Sequence, residues 1–189
     1  MPDKIMVFIP MYNCEKQISR VLDKFSDIDQ SLFEEIIVVD NISTDDSLKN
    51  ARIALKKLKG LKTTLLKNHD NYNLGGSIKV AFNYAIENNY DFMITLHGDD
   101  QGDIRDIVKH IQSRSYLNHD IVAGARFHKN SILQGYSLVR TLGNHGVNFI
   151  CSIITGKKIK DMVAGLNIFK VSFLKENFYL NFPNNLTFD

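Results

Sequence analysis

Cysteine is nearly absent from this 189-residue chain, and Cys14 and Cys151 stand in no CxxC or other metal spacing. A thiolate metal site is therefore unsupported, and the expectation is reduced thiols in a cytoplasmic protein. Long apolar runs are missing as well. The longest candidate, Val147 to Ile154, falls far short of the ~18–20 residues needed to cross a bilayer. The start, Met1-Pro2-Asp3-Lys4, lacks the layout of a secretory leader. Charge of one sign is scarce: 23 Lys and Arg face 21 Asp and Glu, a net +2 that is too mild to argue for nucleic acid. No GxGxxG follows the first apolar run and no GxxxxGK[ST] occurs anywhere, so dinucleotide-type Rossmann binding and P-loop chemistry are poorly supported. No internal repeat is evident.

What is present is an alternation of short apolar runs with amphipathic stretches, the pattern of βα units around a largely parallel sheet. With 44% hydrophobic and 23% charged residues the composition is that of a soluble globular protein. Residues 1–189 are expected to form a single domain, and the ending Asn184-Asn185-Leu186-Thr187-Phe188-Asp189, without a helix stop, reads as a truncation. Strands are predicted at Ile5–Ile9, stopped by Pro10, at Ile36–Val39, at Thr63–Leu66, at Phe92–Leu96, at Ile121–Ala123 and within Val163–Phe169. The 3.6 periodicity predicts helices from about Glu15 (Ile18, Val21, Leu22, Phe25), after Ser43 as cap with Asp46 at the third helical position, after Asn73 (Ile78, Ala81, Phe82), from Asp103, and through Val139, Leu142, Val147 and Ile150. Residues 127–136 read as a polar loop. Lys56, Lys57, Lys59, Lys62 and Lys67 read as solvated faces, whereas Lys157, Lys158 and Lys160 form a second group of open role.

The run His97-Gly98-Asp99-Asp100-Gln101-Gly102-Asp103 stands out, because carboxylates crowded at a strand end repel one another unless a cation neutralises them. His97, Asp99 and Gln101 alternate along an extended segment and can face one side, where oxygen and imidazole donors suit Mg²⁺ or Mn²⁺. Asp103 reads as a helix cap and Asp100 as a loop residue. Ligands of open α/β sheets bind beyond the carboxyl ends of the strands, and Asp40, His97, Asp99 and Arg126 all fall at such ends. Asp40 and Asn41 offer acceptors for a base N–H edge or a ribose hydroxyl. Arg126 and Arg140 flank the polar loop and could clamp one phosphate between them.

Several short motifs occur in order: Ile9-Pro10-Met11-Tyr12-Asn13, Val39-Asp40-Asn41-Ile42-Ser43-Thr44-Asp45, Asn73-Leu74-Gly75-Gly76 and the His97–Gln101 cluster. In this the chain resembles the family-2 glycosyltransferases of the GT-A fold, which use nucleotide-diphosphate sugars. Gly124-Ala125-Arg126, Arg140 with Gly143-Asn144, and Asp161-Met162-Val163-Ala164-Gly165-Leu166-Asn167 make it most similar to the polyprenyl-phosphate type, the dolichyl-phosphate mannose synthases. The resemblance implies an α/β GT-A catalytic domain with a mostly parallel sheet. It implies a nucleotide-sugar pocket lined by Pro10, Tyr12, Asn13, Glu15, Asp40, Asn73, Gly76, Gly98 and Asp99. It implies metal ligation by Asp99 and Gln101, with His97 standing where the family has an acid, and acceptor phosphate binding by Arg126, Arg140 and Asn144. Asp99, Arg126 and Arg140 would then carry catalysis. Ile42 stands where the family has glycine.

The implied reaction is inverting transfer of a hexose, assisted by Mg²⁺ or Mn²⁺, to an acceptor at the cytoplasmic face of a membrane. A polyprenyl phosphate is already anionic, so positioning could replace a general base. A sugar hydroxyl would need one, and only Asp189 stands out beyond Asp161. Glycosyl transfer to a saccharide hydroxyl in surface polysaccharide synthesis and a non-catalytic nucleotide-binding module remain the alternatives, whereas a sugar-phosphate nucleotidyltransferase lacks its glycine-rich phosphate loop. The sequence leaves the sugar, the base and the oligomeric state open.

Overall fold

The apolar runs assemble into a six-stranded sheet of order β3-β2-β1-β4-β6-β5 in a computed structural model, which describes residues 2–126, 138–161, 164–185 and 188, with the backbone alone for 138–140. The strands are β1 (Ile5–Met11), β2 (Glu35–Asp40), β3 (Lys62–Lys67), β4 (Phe92–Leu96), β5 (Ile121–Ala123) and β6 (Leu166–Lys170). The pairs β1–β2, β2–β3 and β1–β4 are parallel, and β6 runs antiparallel to β4 with Ile94 opposite Ile168. The chain divides into two compact units, one comprising Met1–Val122 with Gly165–Phe188 and the other Ala123–Ala164.

In the first unit the period-2 alternation of the strands splits the core into two layers. Val7, Ile9, Ile36, Val38 and Ile94 face the helices α1 (Ile18–Asp23), α2 (Ser47–Leu55) and α4 (Arg105–Gln112). Met6, Phe8, Ile37, Val39 and Met93 face α3 (Asn73–Glu87), the short α6 (Val171–Leu174) and Tyr179. Ile18, Val21 and Leu22 of α1 are fully buried as expected, and Phe25 is buried in the 3₁₀ turn Lys24–Asp27 that follows rather than on the helix.

Two local expectations change. Pro10 does not stop β1, which continues to Met11 with Pro10 paired to Val39. The Pro10 carbonyl accepts from Gly98 N at 3.2 Å, beyond the end of β4, so the missing proline N–H falls where no ladder bond was required. Ser43 does not cap α2, which begins four residues later. Asp45 Oδ1 instead accepts from Ser47 N at 3.0 Å, and Glu15, from a distant loop, accepts from Asp46 N at 3.2 Å. Asp103 behaves as expected, its Oδ1 accepting from Arg105 N at 3.0 Å as α4 begins.

At the opposite edge of the sheet Glu35 is completely buried. Its carboxylate accepts from Thr64 Oγ1, Tyr90 OH, Tyr84 OH at 3.1 Å and Lys62 Nζ at 2.9 Å. Burial pushes this carboxyl up, but the hydrogen bonds from Thr64, Tyr90 and Lys62, with the Lys62 charge, outweigh it and hold it below its ordinary value.

The second unit is built around α5 (Leu138–Thr155), which ends at Gly156 with φ +65°. Asn148 is buried and donates through Nδ2 to the Lys160 carbonyl at 2.9 Å, while Ser152 Oγ accepts from Ile159 N at 2.9 Å. The polar side of α5 thus carries the internal contacts.

Candidate active site

The carboxyl ends of β1, β2 and β4 and the start of α3 surround a cleft of about 350 Å³, within the size range of small-ligand sites. β1 and its following turn supply Pro10, Met11, Tyr12 and Cys14; β2 supplies Asn41; the approach to α3 supplies Asn71, Asn73, Leu74 and Ser77; β4 runs out into His97, Gly98 and Asp99. Of the residues singled out in the sequence, Pro10, Tyr12, Asn73, His97, Gly98 and Asp99 therefore meet in one place. Tyr12 is exposed there and presents an aromatic face. Gly98 is packed so closely that a Cβ would lie 2.8 Å from the Pro10 carbonyl.

The amide side chains build the opposite wall. Asn41 Oδ1 accepts from Asn68 Nδ2 and Tyr72 N, each at 2.9 Å, and Asn41 Nδ2 donates to Asn71 Oδ1 at 2.7 Å. Asn68 Nδ2 also donates to Ser77 Oγ at 3.0 Å. Neither Asn71 nor Ser77 carried a local sequence signal; they join the site because α3 begins beside the end of β2.

Asp40 is fully buried next to this wall rather than on it. Its Oδ1 accepts from Ser43 N at 3.2 Å, and Oδ2 has no hydrogen-bond partner among the described residues. Asn13 and Glu15 also do not line the cleft. Asn13 Oδ1 accepts from Thr44 N at 2.9 Å and Asn13 N donates to Ser43 Oγ at 3.0 Å, fastening the turn after β1 to the turn after β2. Glu15 completes that fastening through Asp46 N, and Asp45 Oδ2 returns it by accepting from Glu15 N at 3.1 Å. Gly76 serves close packing: a Cβ there would lie 2.6 Å from Tyr72 Cβ, and its N–H donates to the Asn184 carbonyl at 3.2 Å. Cys14 lines the cleft, but burial pushes its thiol up to about 11, beyond what the Ser47 hydrogen bond offsets. It is protonated at neutral pH, which makes it a weak nucleophile.

The acidic cluster separates into distinct roles. Asp100, at φ +66°, is clamped by Arg20 Nε and Lys24 Nζ, each at 2.8 Å. Burial raises its pKa, but these two cations outweigh that and hold the carboxyl below its ordinary value. Asp103 pairs with Arg105 at 2.6 Å and Lys24 at 3.4 Å. Asp99 alone is exposed at the cleft. Gln101 turns back on it, its N donating to Oδ1 at 3.1 Å and its Nε2 to Oδ2 at 2.7 Å. His97 is half-buried and lies on Gly165, where a Cβ would approach its Nδ1 to 2.8 Å. No group of three His, Cys, Asp or Glu arranged for a metal occurs among the described residues. The donor set offers one exposed carboxylate, Asp99, with His97 beside it, which could serve as part of a cation site but does not make a cage of protein ligands among the described residues. Gln101 is placed to orient Asp99.

In the second unit Arg126 is engaged by Asp161. Its Nε donates to Oδ2 and its Nη2 to Oδ1, both at 2.8 Å, and Arg126 N adds a bond to Oδ2 at 2.9 Å. Arg140 lies in the first turn of α5, and its side chain is outside the described residues. So are 127–137, which contain the predicted polar loop, Met162 and Val163 of the late motif, and Asp189. Asn144, one turn after Arg140, has a buried Nδ2 without a hydrogen-bond partner among the described residues.

A mostly parallel α/β sheet with a cleft at its carboxyl edge and an exposed Asp beyond β4 defines the GT-A class of nucleotide-sugar folds, and solved structures agree. A mannosyltransferase from Pyrobaculum calidifontis, in complex with GDP-Man and Mn²⁺, superposes with TM-score 0.62 at 17% identity over 94% of this chain and 49% of its own. Glucosyl-3-phosphoglycerate synthase from Mycobacterium tuberculosis, with Mn²⁺, UDP and its product, gives 0.65 at 15% over 91% and 58%. The chain thus spans about half the length of these structures. The profile of Glycosyl transferase family 2 matches residues 6–178, and the chain belongs to that family. Among curated relatives, a UDP-N-acetylglucosamine–dolichyl-phosphate N-acetylglucosaminyltransferase of Methanococcus voltae is 28% identical over 190 residues, covering 93% of this chain and 73% of that protein.

Proposed function

We propose that this chain transfers a hexose, with inversion, from a nucleoside-diphosphate sugar to a polyprenyl phosphate at a membrane surface. The observation that carries this reading is Asp99, the one carboxylate of its cluster that stands exposed at the cleft while Asp100 and Asp103 are consumed by cations. Tyr12 and the Asn41–Asn71 wall suit a nucleoside, with an aromatic face and amide donors and acceptors at the cleft. Asp99, with His97 beside it, would hold Mg²⁺ or Mn²⁺ against the donor diphosphate. A bound divalent cation supplies Lewis-acid stabilisation of the leaving diphosphate.

The acceptor reading rests on charge. Both oxygens of Asp161 are taken by Arg126, which leaves that carboxylate no role as a base. A phosphate oxygen needs none: it forms the new bond at the anomeric carbon while the diphosphate leaves from the opposite face with the bonding electrons. Asp161 holds the Arg126 guanidinium in a fixed plane, and the orphan amide of Asn144 on α5 offers a further donor to an anion. The named activity of the Methanococcus voltae relative, which uses a dolichyl phosphate, supports the same class.

Thermal shift with UDP- and GDP-sugars and Mn²⁺ tests the donor half. Donor at 100 times its Kd stabilises by about 2.7 kcal/mol, a rise of roughly 5–10 °C for a chain of this size. Asp99→Ala should erase the metal-dependent part of that rise, and an undiminished rise would remove the assigned site. Release of nucleoside diphosphate from labelled donor in the presence of a polyprenyl phosphate tests the acceptor half.

A further inference from the structure

The helix α5 is amphipathic in the inverted sense. Leu142, Phe149, Ile153 and Ile154 are 70, 67, 65 and 77% exposed, with Val147 and Ile150 also exposed, whereas Asn148 is 5% exposed and bonded inward. At 100° per residue the six apolar positions fall in one arc of about 160°, and Asn144, Asn148 and Ser152 fall on the other side. Such a surface is far more apolar than an aqueous face requires.

We infer that the outward face of α5 inserts into the interfacial region of an anionic lipid leaflet. Three features select lipid over another occupant. From Leu138 to Thr155 the helix contains no carboxylate, and it is followed at once by the exposed Lys157, Lys158 and Lys160, which complement an anionic headgroup layer. No helix among the described residues is long and apolar enough to cross a membrane, so the helix lies in the interface plane rather than spanning. The helix also carries Arg140 in its first turn. On the proposed acceptor reading, on which this choice of occupant rests, the same element that seats the chain on the leaflet receives the lipid's phosphate.

The chain contains no tryptophan, so Phe149→Trp creates a single fluorescent reporter on the inserting face. Its emission should shift to the blue on titration with phosphatidylcholine/phosphatidylglycerol vesicles that contain no polyprenyl phosphate and no donor sugar. Each lysine contributes about five-fold at low salt, so binding to anionic vesicles should exceed binding to pure phosphatidylcholine by on the order of 100-fold and fall as salt rises. Adding Ile153→Asn and Ile154→Ser, both at exposed positions, should weaken vesicle binding at least ten-fold with the circular dichroism spectrum retained. Absence of a blue shift overturns the inference, as does unchanged binding in the Asn/Ser variant. So does light scattering that shows α5 variants abolishing a dimer while leaving vesicle binding intact. Vesicle binding without sugar transfer would sink the acceptor reading and leave this one standing. Transfer to a short water-soluble prenyl phosphate by a chain that ignores vesicles would do the reverse.

Discussion

Replacing Gly165 by Ala tests how tightly His97, the first residue beyond β4, is fixed. The new Cβ would stand 2.8 Å from Nδ1, 2.9 Å from Cγ and 3.3 Å from Cδ2 of the imidazole. Ordinary contact begins at 3.4 Å, so the ring must retreat by about 0.6 Å or the strand end must move. Gly165 is not among the residues with positive φ, so alanine meets no left-handed backbone penalty there, and the nearest atoms it meets are those of the ring. Overpacking of this kind costs about 1–3 kcal/mol. In a His97→Ala background the ring is gone, and the same substitution should instead be neutral or stabilising by about 0.4–1 kcal/mol, because alanine restricts the unfolded chain. Urea denaturation of the four proteins of this cycle reads the coupling directly, and a value of about 1–4 kcal/mol is expected. Equal effects of Gly165→Ala in both backgrounds would refute the argument, since the contact would then have no energetic weight.

Three further outcomes follow from the geometry. Asp100→Ala should retain metal-dependent donor binding, in contrast to Asp99→Ala, while costing about 1 kcal/mol through the lost Arg20 and Lys24 pairs; loss of donor binding in calorimetry would reverse the division of roles. Ile42 is β-branched at φ +61°, so Ile42→Asn should stabilise by about 1 kcal/mol in urea, and a clear destabilisation would contradict the strain. Glu35 has a depressed folded pKa, so its contribution is present above the ordinary carboxylate range and is lost as pH falls through the folded value. Tyr90 is raised, chiefly by burial and then by Glu35, so its contribution is complete below its ordinary value near 10 and is lost above it. Glu35→Gln should flatten the acid limb of a stability–pH curve, and an unaltered acid limb would exclude Glu35 as its source.

Much of the architecture could be read from periodicity because the central strands β1, β2 and β4 bury both faces, while α1, α3 and α4 each bury one. Errors arose where the deciding partner was distant. Glu15 supplies a bond at the start of α2 from another loop, and Pro10 is tolerated in β1 because β4 has already ended beside it. The site was legible at strand ends, where Pro10, Gly98 and Asp99 sit. Asn13 and Asp45 instead tie turns together, a use that only the folded contacts reveal. Asn71 and Ser77 enter the cleft through a network of amides whose members are ordinary polar residues when read singly.

The placement of β5 and β6 as neighbours has a topological consequence. The chain leaves the sheet after one of them, forms the whole of Ala123–Ala164, and returns on the other. A segment with adjacent attachment points can be lengthened, shortened or exchanged without disturbing the register of the remaining strands. Substitutions and length changes within Ala123–Ala164 therefore leave the pairing of β1 with β2 and β4, and the cleft at their carboxyl ends, unchanged.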